Sequence, residues 1–199
     1  MIFYKPYSKG KLTHSTINYT MNTSGTNGMT KDAFDAYLFL DGKPKATTSL
    51  ATNDAATLNA NNQYGIEAQL AVRDKRLAET IDPVLAFKGH AYQRAGTHAF
   101  TSTTGYAVSK YDNTTELTID ERNNNNRQYT DCPIFWLSVV YLDYAEAKAE
   151  LGTITQTDLD NSINKLQIRA GLPGIQLAPA ADPANNMGVS NLLWEIRRA

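Results

Sequence analysis

"FWLSVVYLDYAEAKAELG", residues 135–152, decides how the rest of this chain is read. Its front half is bulky and apolar, its second half is alanine-spaced and acidic, and it ends in glycine. From Pro133 onward the apolar positions Ile134, Leu137, Val140, Tyr141, Tyr144, Ala145 and Leu151 keep a helical stripe. Pro133 suits a first helical turn, where its missing N–H would have no intrahelical partner. Gly152 stops the helix. Thr157 is placed to cap a second helix, with Leu159, Ile163, Leu166 and Ala170 on one face. Gly171 supplies a left-handed stop, Leu172 folds back onto the last turn, and Pro173 prevents continuation. Ser190 caps a third helix carrying Leu192, Leu193 and Ile196.

The short link from Gly152 to Gln156 predicts that the first two helices pack closely. Ala145, Ala147 and Ala149 let the backbones approach, and Phe135, Trp136 and Tyr141 fill the wider end. Such a pair reads as a tetratricopeptide-type hairpin, which cannot bury its apolar face alone.

Composition changes near residue 132, dividing one domain into a loop-rich region, 1–131, and a helical region, 132–199. The first region is rich in Thr, Asn, Gly and Tyr, with turn signals between short periodic pieces. Thr30 caps a short helix carrying Ala33, Phe34, Tyr37 and Leu38, and the chain turns at Asp41–Gly42. "YGIEAQLAVRDKRLAETID" (64–82) sets Ile66, Leu70, Leu77 and Ile81 on an interrupted helical pattern. "TGYAVSKYD" (104–112) and "TELTID" (115–120) alternate apolar and polar residues and read as short strands. The expected class is mainly α: helical hairpins with long irregular loops and a few short strands.

The 199 residues carry 19 basic and 20 acidic side chains, a net charge of −1 without any block of one sign. That balance excludes electrostatic capture of nucleic acid. Cys132 is the single cysteine, so no intramolecular disulfide forms, and beside Pro133 it is expected as a small buried apolar side chain. No run of about 18 apolar residues occurs, and the first residues lack a signal-peptide core. The last ten residues, "SNLLWEIRRA", stop inside an amphipathic pattern, which predicts a piece cut from a longer chain.

Catalytic chemistry finds little support. His90 and His98 stand eight residues apart, a spacing without metal-ligand geometry, and His14 is remote from both. Asp74, Glu79, Asp82, Asp120 and Glu121 could form a hydrolytic carboxylate pair, but any chain with twenty acids offers such candidates. "TSGTNGMT" lacks the lysine of a phosphate loop, and "DERNNNN" lacks the glycine and final glutamate of a calcium loop. Neither a metal nor a cofactor is expected.

Six phrases in one order carry a resemblance: "DAYLFLDGKP" (35–44), "RDKRLAETI" (73–81), "TGYAVSKY" (104–111), "VVYLDYAEAKAELG" (139–152), "INKLQIRAGLP" (163–173) and "LLWEIRRA" (192–199). Over residues 30–199 the chain resembles the SusD/RagB family. The resemblance implies a mostly helical fold with tetratricopeptide-like hairpins as scaffold and irregular loops as ligand face. It implies a surface lipoprotein of the Bacteroidetes outer membrane, a lid on a TonB-dependent, SusC-like barrel transporter that receives captured oligosaccharide. Membrane attachment would come only through a lipid anchor on an N-terminal cysteine that this chain lacks and that Cys132 cannot replace. Tyr106 and Lys110 fall in a family phrase and are expected to brace the scaffold, as is the charge cluster Arg73, Asp74 and Arg76.

A glycan site needs flat rings against sugar faces, and planar amides, carboxylates or guanidinium groups against hydroxyls. "NANNQYG" (59–65) and "KGHAYQRAGTHAF" (88–100) put Tyr64, His90, Tyr92 and Arg94 in loops beside amides, outside the family phrases, where specificity varies. These four are the expected ligand contacts of a non-enzymatic glycan-binding protein. The alternatives are a tetratricopeptide-like module for a peptide or protein and, third, a glycoside hydrolase.

Overall fold

The computed structural model describes residues 2–21, 27–50, 56–87, 92–93 and 99–199. Among these lie β1 (Phe3–Lys5), α1 (Thr16–Met21), α2 (Lys31–Ala36), β2 (Thr57–Leu58), β3 (Tyr64–Gly65), α3 (Glu67–Leu70), α4 (Lys75–Ala78), β4 (Tyr92–Gln93) and β5 (Ala99–Phe100). They continue with α5 (Ile119–Asn123), β6 (Cys132–Phe135), α6 (Leu137–Glu150), α7 (Gln156–Asn161), α8 (Ile163–Arg169) and α9 (Asn191–Arg198). Helix is the main regular structure. The strands are short and pair only in twos, β1 with β6, β2 with β3 and β4 with β5, all antiparallel.

Thr30 caps α2 as its sequence predicts, its hydroxyl accepting from the Ala33 N–H at 3.2 Å. That cap aims Phe34 inward, where it joins Ile66, Leu70, Leu77, Ile81 and Leu85 in one apolar cluster. Leu77 and Ile81 are fully buried, each contributing about 2 kcal/mol through apolar burial. Tyr106 stacks on Phe34 with ring centroids 4.6 Å apart, so it does brace this layer, whereas Lys110 is exposed. "TGYAVSKYD" makes two isolated bridges, Met29 to Tyr106 and Ile81 to Val108, not a continuous strand. "TELTID" becomes a turn, the N-cap Thr118 and the first two residues of α5 instead of a strand. Thr118 and Glu121 form a reciprocal capping box there, and that local pairing overrides the alternating pattern.

The helical region departs from its sequence reading at its start. Residues 132–135 are strand, because β1 pairs with them and the Ile2 N–H donates to the Phe135 carbonyl at 2.8 Å. Pro133 tolerates this place because a two-stranded ribbon leaves one edge without ladder bonds. The helix therefore begins at Leu137. Cys132 is exposed, contrary to its expected burial, since the ribbon holds it at the surface. Phe135 and Trp136 are 60% and 46% exposed and do not fill the inter-helix space.

α8 and α9 both pack on α6. Ala145 and Ala149 face that core with Leu142, Leu159, Ile163, Ile175 and Ile196, but Ala147 is exposed. At 100° per residue, a position two along from Ala145 lies on the far side of the helix. The second helix is capped by Thr155, not Thr157. Its hydroxyl accepts from the Asp158 N–H while Asp158 accepts from the Thr155 N–H. It also breaks at Ser162, whose φ of −126° and ψ of −102° are not helical, so it forms two pieces, α7 and α8. Its end follows the prediction: Gly171 has φ +82°, and the Leu172 N–H closes onto the Gln167 carbonyl at 3.0 Å. Ser190 caps α9, accepting from the Leu193 N–H at 3.2 Å.

The two regions meet directly. Leu38 packs with Ala170 and Leu172, and the Lys75 N–H donates to the Ala170 carbonyl at 3.0 Å.

Candidate functional site

Gln128 is the buried post around which the site is built. Its side-chain oxygen accepts from the Ile17 N–H at 2.8 Å, and its amide nitrogen donates to the Arg122 carbonyl at 3.3 Å. An antiparallel bridge ties Gln128 to His14 through backbone bonds of 2.8 and 3.2 Å. His14 is thereby set beside Thr130 and Thr16. Its Nδ1 accepts from the Thr16 N–H at 3.2 Å, so Nε2, 3.0 Å from the Thr130 carbonyl, carries the proton and donates. Tyr7 then packs edge-on against the imidazole at 4.7 Å, and its N–H donates to Asp131 Oδ1 at 2.9 Å.

The opposite wall is the turn from Lys110 to Thr115. Asp112 pairs with Arg122 of α5 at 3.1 Å, both side chains buried, and this pins the turn from below. Asn113 accepts through Oδ1 from the N–H groups of Thr115 and Glu116 at 3.2 and 3.1 Å, a side-chain-stabilised turn that leaves Tyr111 half exposed. Trp136, at the joint between β6 and α6, closes the end.

Between these walls lies a cleft of about 680 Å³. Its rings are Tyr7, Tyr111 and Trp136, and its polar groups are hydroxyls, an amide, an imidazole, the Lys110 ammonium and the carboxylates of Asp112 and Asp131. Such a surface can stack on the apolar face of a pyranose and bond its hydroxyls. Of the two carboxylates, Asp112 pairs with Arg122 and Asp131 accepts from the Tyr7 N–H. Trp136 and Lys110 also line a second cleft of about 760 Å³, between α4, α8 and the end of α9.

Of the residues expected to contact ligand, Tyr64 and Tyr92 line neither cleft. Tyr64 is 39% exposed on the β2–β3 hairpin. Tyr92 is 9% exposed and packs with Val84, Ala86 and Ala107. Burial, with some help from the Asp112 charge, pushes its phenol pKa up, so the hydroxyl stays protonated. His90 and Arg94 lie outside the described residues. Tyr7, Tyr111 and Trp136 were not singled out as contacts by sequence. Trp136 has one readable signal: directly after a proline-containing apolar run, it occupies a helix N-cap without capping chemistry.

The family model described as the SusD family matches residues 1–198. The chain belongs to the SusD family. The match is wider than the ordered phrases, taking in β1 and the loop that carries Tyr7 and His14. Members of the SusD family are in general non-enzymatic nutrient-binding lipoproteins of the outer-membrane surface, associated with glycan binding. No curated protein and no solved structure matches the chain. Among the described residues of this SusD family chain no helix is long and apolar enough to cross a membrane.

Proposed function

We propose that the chain captures a polysaccharide or oligosaccharide at the bacterial cell surface and delivers it, chemically unaltered, to a TonB-dependent SusC-like barrel transporter. The observation that carries this reading is the cleft walled by Tyr7, Tyr111 and Trp136. Tyr7 is packed on His14 of the Gln128–His14 bridge, and the turn carrying Tyr111 is pinned by the Asp112–Arg122 pair, so these two rings lose little freedom when a sugar stacks on them. Family membership supports the delivery role and a cell-surface location.

In this reading residues 1–131 form the ligand face and 132–199 a tetratricopeptide-like scaffold, with Trp136 the scaffold's contribution to the site. Tyr64, His90 and Arg94 would extend the contact surface along a longer glycan, while Tyr92 would support it from beneath.

Affinity electrophoresis of the protein in gels cast with plant, host and microbial polysaccharides tests the reading. Retardation in one gel, relieved by Trp136→Ala or Tyr111→Ala without change in the circular dichroism spectrum, is the expected result. Retardation in none of them, with turnover of none, would remove the glycan reading and leave a protein partner.

A further inference from the structure

The second cleft differs from the first in charge. Lys75, Lys110 and Arg169 are exposed on its walls, and none of the three has an ion-pair partner among the described residues. Two further cations there are already committed. Arg76 pairs with Asp74 at 2.5 Å, and Arg198 pairs with Asp182 at 2.6 Å. Among the described residues, Glu79 is the uncommitted carboxylate on the lining, so three cations there face one anion. On a chain whose net charge is −1, this is a local concentration of positive charge, not an overall trend.

A second observation is independent of charge. Gln167 of α8 lines the same cleft at 2% exposure, and its amide oxygen has no hydrogen-bond partner. A buried carbonyl left without a donor costs stability unless something that enters the cleft supplies one. A sugar hydroxyl is such a donor.

Trp136 stands at the boundary, 46% exposed and lining both clefts, with Lys110 beside it. We propose that the second cleft binds an anionic sugar residue, carrying a carboxylate or a sulfate, of the same glycan whose neighbouring residue stacks in the first cleft. Lys75, Lys110 and Arg169 read the charge, Gln167 accepts from a hydroxyl, and Trp136 sets the register between the two sugars. This rests on the glycan reading and narrows it to acidic glycans.

The test titrates the full chain, by calorimetry at low and high salt, with polygalacturonate beside its methyl ester, and with dextran sulfate beside dextran. The first pair tests a carboxylate and the second a sulfate. At least one anionic polymer binds about tenfold or more tightly than its neutral partner, because charge-assisted hydrogen bonds outweigh neutral ones by that order. The preference shrinks as salt rises. Lys75→Gln/Lys110→Gln removes most of it, and Arg169→Glu, at an exposed position, weakens the anion further while the melting temperature holds.

Equal affinity for a charged polymer and its neutral partner overturns the inference, as does a preference that survives in the double variant. Trp136-dependent binding of neutral polymers alone overturns it while leaving the glycan reading standing. Binding of none of the four overturns it too, and the wider gel panel then decides the fate of the glycan reading.

Discussion

Gly171 holds the stem of Lys75 against its bare α-carbon: a Cβ built on Gly171 would lie 2.9 Å from Lys75 Cε. The same glycine has φ +82° and closes α8. Two demands therefore fall on one residue, left-handed backbone and lateral space. Gly152, which closes α6 at φ +66°, carries only the first, since nothing lies within 4 Å of its missing Cβ. Gly152→Ala should cost about 1 kcal/mol from backbone strain. Gly171→Ala should cost about as much, because the exposed Lys75 stem swings aside, but it should displace Lys75 from the second cleft. Urea midpoints of the two variants check this, and a much larger loss for Gly171→Ala would show that the Lys75 stem cannot move.

Arg73 is 1% exposed, with its guanidinium 4.9 Å from the Phe34 ring and 4.5 Å from the Phe39 ring. One of its nitrogens donates to the carbonyls of Phe34 and Tyr37, both at 2.7 Å, and so satisfies the open end of α2. Lysine has no plane to sit between two rings, and its shorter side chain does not carry a nitrogen to the same point. Arg73→Lys should therefore destabilise the fold by about 2–4 kcal/mol, from lost stacking and unsatisfied buried groups. A chemical denaturation curve unchanged from the parent would refute this account of the cluster.

Glu121 links the capping box of α5 to Lys9, 2.7 Å away. The Lys9 ammonium and the Thr118 N–H hold its carboxyl well below the ordinary range, at about 2. A depressed folded pKa contributes stability that is fully present above the ordinary glutamate value and disappears as pH falls toward the folded value. Between pH 4.5 and 2, then, the parent should lose stability faster than Glu121→Gln. Thermal melts of both at pH 7, 4.5 and 2.5 should converge toward the acid end. Asp158, held low by Lys148, Tyr144 and Thr155, should behave in the same way.

Local signals were the legible part of this fold. Thr30, Ser190, Gly152 and Gly171 mark their helix ends in sequence as they do in space, because caps and left-handed stops depend on a few adjacent residues. What sequence misplaced depends on distant partners. Residues 133–135 become strand only because β1, more than 120 residues earlier, lies beside them. The capping boxes of Thr118 and Thr155 are the exception, since Glu121 and Asp158 stand only three residues on and are a local signal that the alternating pattern and Thr157 obscure. The candidate site was least legible because it too depends on distant partners: Tyr7, Tyr111 and Trp136 come from three separate stretches joined by the His14–Gln128 bridge.

Tyr92 and Trp136 make opposite predictions for the same substitution. Tyr92 is packed beneath the surface, so Tyr92→Ala should leave a cavity and cost about 3–5 kcal/mol of stability. Any loss of glycan retention in that variant should track its unfolded fraction and return on cooling. Trp136 is half exposed with its ring on the cleft, so Trp136→Ala should leave the melting temperature within a few degrees of the parent. It should nonetheless lower glycan affinity by about tenfold, the worth of one stacked sugar ring. Retention and thermal melts measured together on both variants separate the two roles. If Trp136→Ala bound as the parent does, while Tyr92→Ala lost binding with its fold intact, the site would belong with the β4–β5 hairpin, and the cleft at Trp136 would lose its claim.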